Sequence, residues 1–109
     1  MNIDVTFRHL DASDAVKTHV FEKMERIKKY LIKPEHVHVI LTVENHHNKI
    51  NNIVEIILSE NGNRLSANER GENMYASIDM AVGKIERQLK KYKEKTKNHK
   101  VINNTKTFT

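Results

Sequence analysis

Seven histidines and 19 lysines and arginines are the side chains through which this 109-residue chain could do chemistry. His36 and His38 stand two residues apart, and His46 and His47 are adjacent. Residues i and i+2 of a strand share a face, so the first pair could offer two imidazoles to one ligand. Zinc, however, needs three or four ligands with a closing histidine or carboxylate, and histidine-based RNA cleavage needs an acid and a base held across a cleft. Neither constellation can be assembled from these positions. The histidines are read as strand and loop side chains, and no metal, cofactor, small-molecule substrate or catalytic residue is assigned. Cysteine is absent, so there is neither a disulfide framework nor a thiolate site. Gly62, Gly71 and Gly83 do not cluster, which leaves no phosphate-cradling loop. An enzyme is not expected.

The cations carry a clearer signal. From Lys84 to Lys100 eight basic residues face only Glu86 and Glu94, a local charge of +6 in a chain whose total is +5. A basic element on a nearly neutral body implies an anionic partner, for which nucleic acid is the first candidate. Lys84, Arg87, Lys91 and Lys95 fall at i, i+3, i+7 and i+11, a single stripe on a helix, and Lys90, Lys93 and Lys97 broaden it. A face kept only for solubility usually alternates signs and gains i,i+4 pairs; this one does not. Lys17, Lys23, Arg26, Lys28 and Lys29 add charge upstream, diluted by Glu22 and Glu25.

The elements that position these residues follow from periodicity. Ile3, Val5 and Phe7 alternate with polar residues as a one-sided strand does. Asp11 or Ser13 can cap a helix whose face is Val16, Val20, Met24, Ile27 and Leu31, with Pro34 beyond its end. Val37 to Val43 alternate, the polar run "ENHHNK" reads as a loop, and Val54, Ile56 and Leu58 alternate again, giving an antiparallel hairpin. "ENGN" supplies an Asn-Gly pair suited to a tight turn, and a short fourth strand through Leu65 and Ala67 follows. Asn73 caps a last helix whose apolar strip is Met74, Ile78, Ala81, Val82, Ile85, Leu89 and Tyr92.

These elements predict a single α+β domain over residues 1–97, ordered β-α-β-β-β-α, with two helices on one face of a four-stranded sheet. With the helices side by side, Lys28, Lys29 and the lysine stripe are expected to form a continuous basic surface. Residues 98–109 lack apolar periodicity and are expected to be a mobile tail. No basic-then-apolar leader is visible, and no apolar run approaches the roughly 20 residues that span a bilayer. A cytoplasmic protein without a membrane partner is expected.

"MYASIDMAVGKIERQLKKYKEK", preceded by "LSANERGE", resembles the bacterial family of ribosome hibernation-promoting factors and ribosome-associated translation inhibitors. The resemblance spans about Met1 to Lys97, and "MYxxID" followed by "K(I/L)xRQ(L/I)xK" is its most specific part. It implies a fold akin to double-stranded-RNA-binding domains and a stress or stationary-phase protein. Such a protein occupies the messenger and transfer RNA channel of the small ribosomal subunit, inhibits translation and modulates the pairing of ribosomes into inactive dimers. The sites implied to neutralise ribosomal RNA phosphates are Lys84, Arg87, Lys90, Lys91, Lys93 and Lys95, with Lys23, Lys28 and Lys29 as weaker matches. Tyr75 is more readily a partly buried packing residue than a base-stacking one, and Asp79 more readily orients a basic neighbour than meets RNA.

Two departures stand out. Gly83 interrupts the helix, through a close approach or through drift. The chain ends near Thr109, as in short members that act alone or with a separate ribosome modulation factor and are monomeric when free. The competing reading is a generic double-stranded-RNA binder on the same fold, which would bind any A-form duplex alike.

Overall fold

The computed structural model describes residues 2–31, 36–60 and 62–105, with the side chains of Glu60 and of 93–105 left out. The order is β1 (Asn2–Arg8), α1 (Asp14–Lys28), β2 (His36–His46), β3 (Lys49–Glu60), β4 (Asn63–Gly71) and α2 (Met74–Thr105), the β-α-β-β-β-α order expected. The strands lie in the sheet order β1-β2-β3-β4. β1 runs parallel to β2, while β2–β3 and β3–β4 are antiparallel. A parallel pair cannot be joined by a tight turn, and α1 supplies the crossover.

Alternation in β2 and β3 places Val37, Val39, Leu41, Val54, Ile56 and Leu58 on one face, all without exposed surface. Val16, Val20, Met24 and Ile27 of α1 and Ile78, Ala81, Val82, Ile85 and Leu89 of α2 complete the same core, so both helices cover that face. Each helix begins at a side-chain cap. Ser13 Oγ accepts from Val16 N at 3.2 Å, and Asn73 Oδ1 accepts from Tyr75 N at 2.8 Å and Ala76 N at 3.2 Å. These bonds satisfy amides that have no partner within the first helical turn.

Four boundaries differ from the sequence reading. Leu31 lies beyond α1, brought onto the core by a turn in which Tyr30 N and Leu31 N donate to Ile27 O and Lys28 O. The fourth strand is not short: β4 has nine residues. "ENHHNK" is not a loop, because β2 runs to His46, β3 starts at Lys49, and only His47 and Asn48 form the turn, with φ of 53° and 62°. Two consecutive positive φ values mark a type I′ turn. Finally α2 runs to Thr105, past the last apolar repeat. Residues 98–105 contain neither glycine nor proline, so nothing in the backbone stops the helix. Pro34, Asn61 and 106–109 lie outside the described residues.

Ile85 is fully buried between α2 and the sheet. Ile85→Ala is expected to lower unfolding free energy by about 2–5 kcal/mol, read from the denaturant midpoint at unchanged slope.

Candidate nucleic-acid interface

The buried strip of α2 sets its rotation, and each residue advances about 100° around the axis. Lys84 and Gln88 fall on the flank beside β4. Lys84 Nζ lies 2.5 Å from Glu69 Oε2 and donates to Asn68 O at 3.4 Å, and Gln88 Nε2 donates to Ser66 O at 2.8 Å. β4 is an edge strand, and these side chains cover two of its carbonyls, which otherwise offer a template for strand addition. Asn63 Nδ2 donates to Tyr92 Oη at 2.7 Å and fastens α2 to the start of the same strand.

Lys84, Arg87 and Lys91 line one open groove with Ser66, Ala67, Asn68 and Gln88, with a volume of about 510 Å³. The predicted stripe thus converges on a common wall as far as side chains are described. Arg87, Lys90 and Lys91 are exposed, and no ion pair engages them among the described residues. Lys90 stands on the outward ridge rather than in the groove. The Lys93 and Lys95 side chains lie outside the described residues.

The helices do lie side by side, but they do not present a continuous basic surface. α2 turns Asp79 and Glu86, seven residues apart and hence on one flank, toward α1. His19 Nε2 is 2.8 Å and Lys23 Nζ 3.8 Å from Asp79 Oδ1. Arg26 Nη2 donates to Glu86 Oε1 at 2.8 Å, and Tyr30 Oη donates to Glu86 Oε2 at 3.5 Å. Lys23 is thereby drawn into the seam. Lys28 lies 3.6 Å from Glu25, and Lys29 sits 5.3 Å from the centre of the Tyr30 ring; both are exposed. A row of carboxylates therefore separates the cations of α1 from the groove of α2.

Asp79 orients basic neighbours, as its place in the sequence motif implied. Tyr75 is 41% exposed and meets the His19 ring edge-on at 5.0 Å, so it is less buried than a packing residue and already has one ring partner. His19, Glu86 and Gln88 were missed by the sequence reading. Their partners lie 60, 60 and 22 residues away, beyond any local signal. His36 and His38 share a face as expected. They meet β1 across the parallel ladder, His36 Nε2 3.0 Å from Asp4 Oδ2 and His38 Nε2 2.8 Å from Thr6 Oγ1. Among the described residues no three His, Asp or Glu side chains are grouped as a metal ion requires. Nor is any described helix long and apolar enough to cross a membrane.

The family model described as sigma 54 modulation protein / S30EA ribosomal protein matches residues 3–97. The ribosome hibernation promoting factor of Azotobacter vinelandii is 37% identical over 95 residues, 87% of this chain and 85% of that protein. The Salmonella typhimurium protein of the same name is 31% identical over 99 residues, covering 91% and 100%. Among solved structures, a ribosomal subunit interface protein from Coxiella burnetii superposes with a TM-score of 0.72 at 26% identity, covering 86% of this chain and 99% of that one. The N-terminal domain of Thermus thermophilus Protein Y gives 0.69 at 26% identity, covering 84% and 99%.

Gly83 bears on the same helix. A Cβ built there has only Arg87 Nη1 within 4 Å, at 3.9 Å, so no close helix-to-sheet approach requires the glycine. Gly83→Ala is expected to stabilise the free protein by about 1 kcal/mol, read as a higher melting temperature.

Proposed function

We propose a function from the family to which this chain belongs, the sigma 54 modulation protein / S30EA ribosomal proteins: it is a ribosome-binding hibernation factor and not an enzyme. It binds the small subunit in the channel used by messenger and transfer RNA, silences translation in the cytoplasm under stress or in stationary phase, and modulates the formation of inactive ribosome dimers. Relatives at 31–37% identity carry the hibernation name, and two structural neighbours are subunit-interface and Protein Y domains.

The observation that carries the reading is the convergence of Lys84, Arg87 and Lys91 on one groove, with Lys90 beside it. Ribosomal RNA offers a dense array of phosphates, and each contact releases condensed counterions, so affinity comes from charge and is sensitive to salt. Arg87 contributes a planar fork that bonds a phosphate at two points, while Lys90 and Lys91 act as point charges on flexible four-carbon stems. Lys84 differs, because its ammonium is held by Glu69 and the β4 edge; it shapes the groove as much as it charges it. On α1, Lys28 and Lys29 form a second and smaller contact, and Lys93 and Lys95 extend the first. The protein acts as a monomer when free, and it modulates dimer formation either alone or with a separate ribosome modulation factor.

Sedimentation of purified ribosomes through sucrose gradients is the direct test: the protein should co-migrate with the small subunit at moderate salt, and free A-form duplex should compete poorly. Arg87→Ala, Lys90→Ala and Lys91→Ala combined spares the Lys84–Glu69 pair. It should leave the melting temperature unchanged while reducing the slope of log affinity against log salt by about 2–3. An unaltered slope would remove this surface from the contact. Equal competition by any duplex would favour the generic RNA-binding reading.

A further inference from the structure

The hairpin of β2 and β3 outreaches both of its neighbours. β1 stops at Arg8, opposite Thr42, and β4 stops at Gly71, opposite Asn52. The pairs Glu44–Asn51, Asn45–Ile50 and His46–Lys49 therefore have no third strand beside them. At about 3.4 Å per residue they form a two-stranded ribbon projecting roughly 10 Å past the sheet. Every residue from Glu44 to Ile50 is exposed, and Ile50 retains 57% of its surface. A lone two-stranded ribbon is marginal in water, and this one contributes nothing to the core.

Its composition is unusual. Beyond Glu44 at its base, Asn45 to Asn52 reads "NHHNKINN": four amides, two imidazoles, one ammonium and one isoleucine. The His46 and His47 rings lie 4.1 Å apart at the tip. An open groove runs along each side. One is bounded by His9, Glu44 and His46, the other by Lys49, Ile50, Arg70 and Glu72. With a single lysine the ribbon is a weak electrostatic anchor. Amide and imidazole groups both donate and accept hydrogen bonds, as base edges do, and a flat imidazole offers a face on which a base can stack.

We infer that the β2–β3 tip is a second contact surface that reads unpaired RNA bases, with His46 or His47 stacking and Asn45 and Asn48 bonding base edges. Lys49 and Arg70 hold the adjoining phosphate. The inference rests on the ribosomal reading above and adds to it a contact that does not depend mainly on charge. Unpaired bases suit the tip because an A-form duplex hides its base edges in a deep, narrow major groove.

The test uses the full chain with purified small subunits. His46→Thr with His47→Asn keeps the strand and tolerates the left-handed turn while removing both rings; Ile50→Thr is made separately. The double variant should melt like the parent, bind roughly tenfold more weakly as expected for loss of one stacked base, and keep the parent's salt slope. Chemical probing should show a small set of unpaired ribosomal RNA bases losing protection while the rest stay protected. Parent-like affinity and protection would overturn the inference. So would weaker binding with every base still protected, which would place the tip on a ribosomal protein. If the parent itself fails to bind small subunits, the ribosomal reading falls first, an outcome visible before any tip variant is made.

Discussion

The rotational setting of α2 on the sheet is the constraint on which everything else depends. Ile78, Ala81, Val82, Ile85 and Leu89 have no exposed surface, and a turn of one residue would drive Lys84 or Glu86 into their place. Burying an unpaired charge costs far more than the lost packing could return. The helix therefore has one setting, and that setting aims the cations and carboxylates among its described side chains. Lys84 and Gln88 go to the β4 edge, Asp79 and Glu86 to α1, and Arg87, Lys90 and Lys91 to solvent.

The same setting sorts structural charges from available ones. Asp79 and Glu86 bind the side chains that α1 turns toward them, so the seam between the helices is nearly neutral although both helices are basic. Such part-exposed pairs add little stability individually, of the order of 0–1 kcal/mol. Their stronger effect is on the surface potential: they cancel Lys23 and Arg26, and Glu69 cancels most of Lys84. Among the described residues of the paired helices, the largest positive zone left runs along α2, with a smaller one at the end of α1. A polyanion crossing the helical layer would meet them in succession rather than as one sheet of charge.

The order of the elements was legible because each buries a face whose period is written in its residues. The caps at Ser13 and Asn73 and the core strip of α2 were equally visible. The β2–β3 ribbon was not, since neither of its faces is buried and a strand bathed in water on both sides has no reason to alternate. Leu31 was placed in the helix because its spacing fits, although the chain reaches the core there by a turn. The site was half legible. Spacing put Lys84, Arg87 and Lys91 on one stripe, but the direction of that stripe depends on which neighbour lies to either side. Partners such as His19 for Asp79 and Arg26 for Glu86 are tertiary facts, invisible to a window of residues. The charges could be counted from the sequence; their cancellation could not.

The mixed pairing of the sheet has a consequence for how the chain assembles. β2, β3 and β4 are separated from one another by two residues each, so they can zip together through short loop closures, the quickest kind of long-strand pairing. β1 is different: it bonds only to β2, in parallel, across the whole of α1. It precedes the other strands in the chain yet cannot complete its ladder until Thr42 has emerged. Its open ladder must wait through the translation of α1 and most of β2, a delay of seconds at ordinary elongation rates. β1 thus stays unpaired until β2 follows it, whereas β3 and β4 each have a neighbour waiting as they emerge.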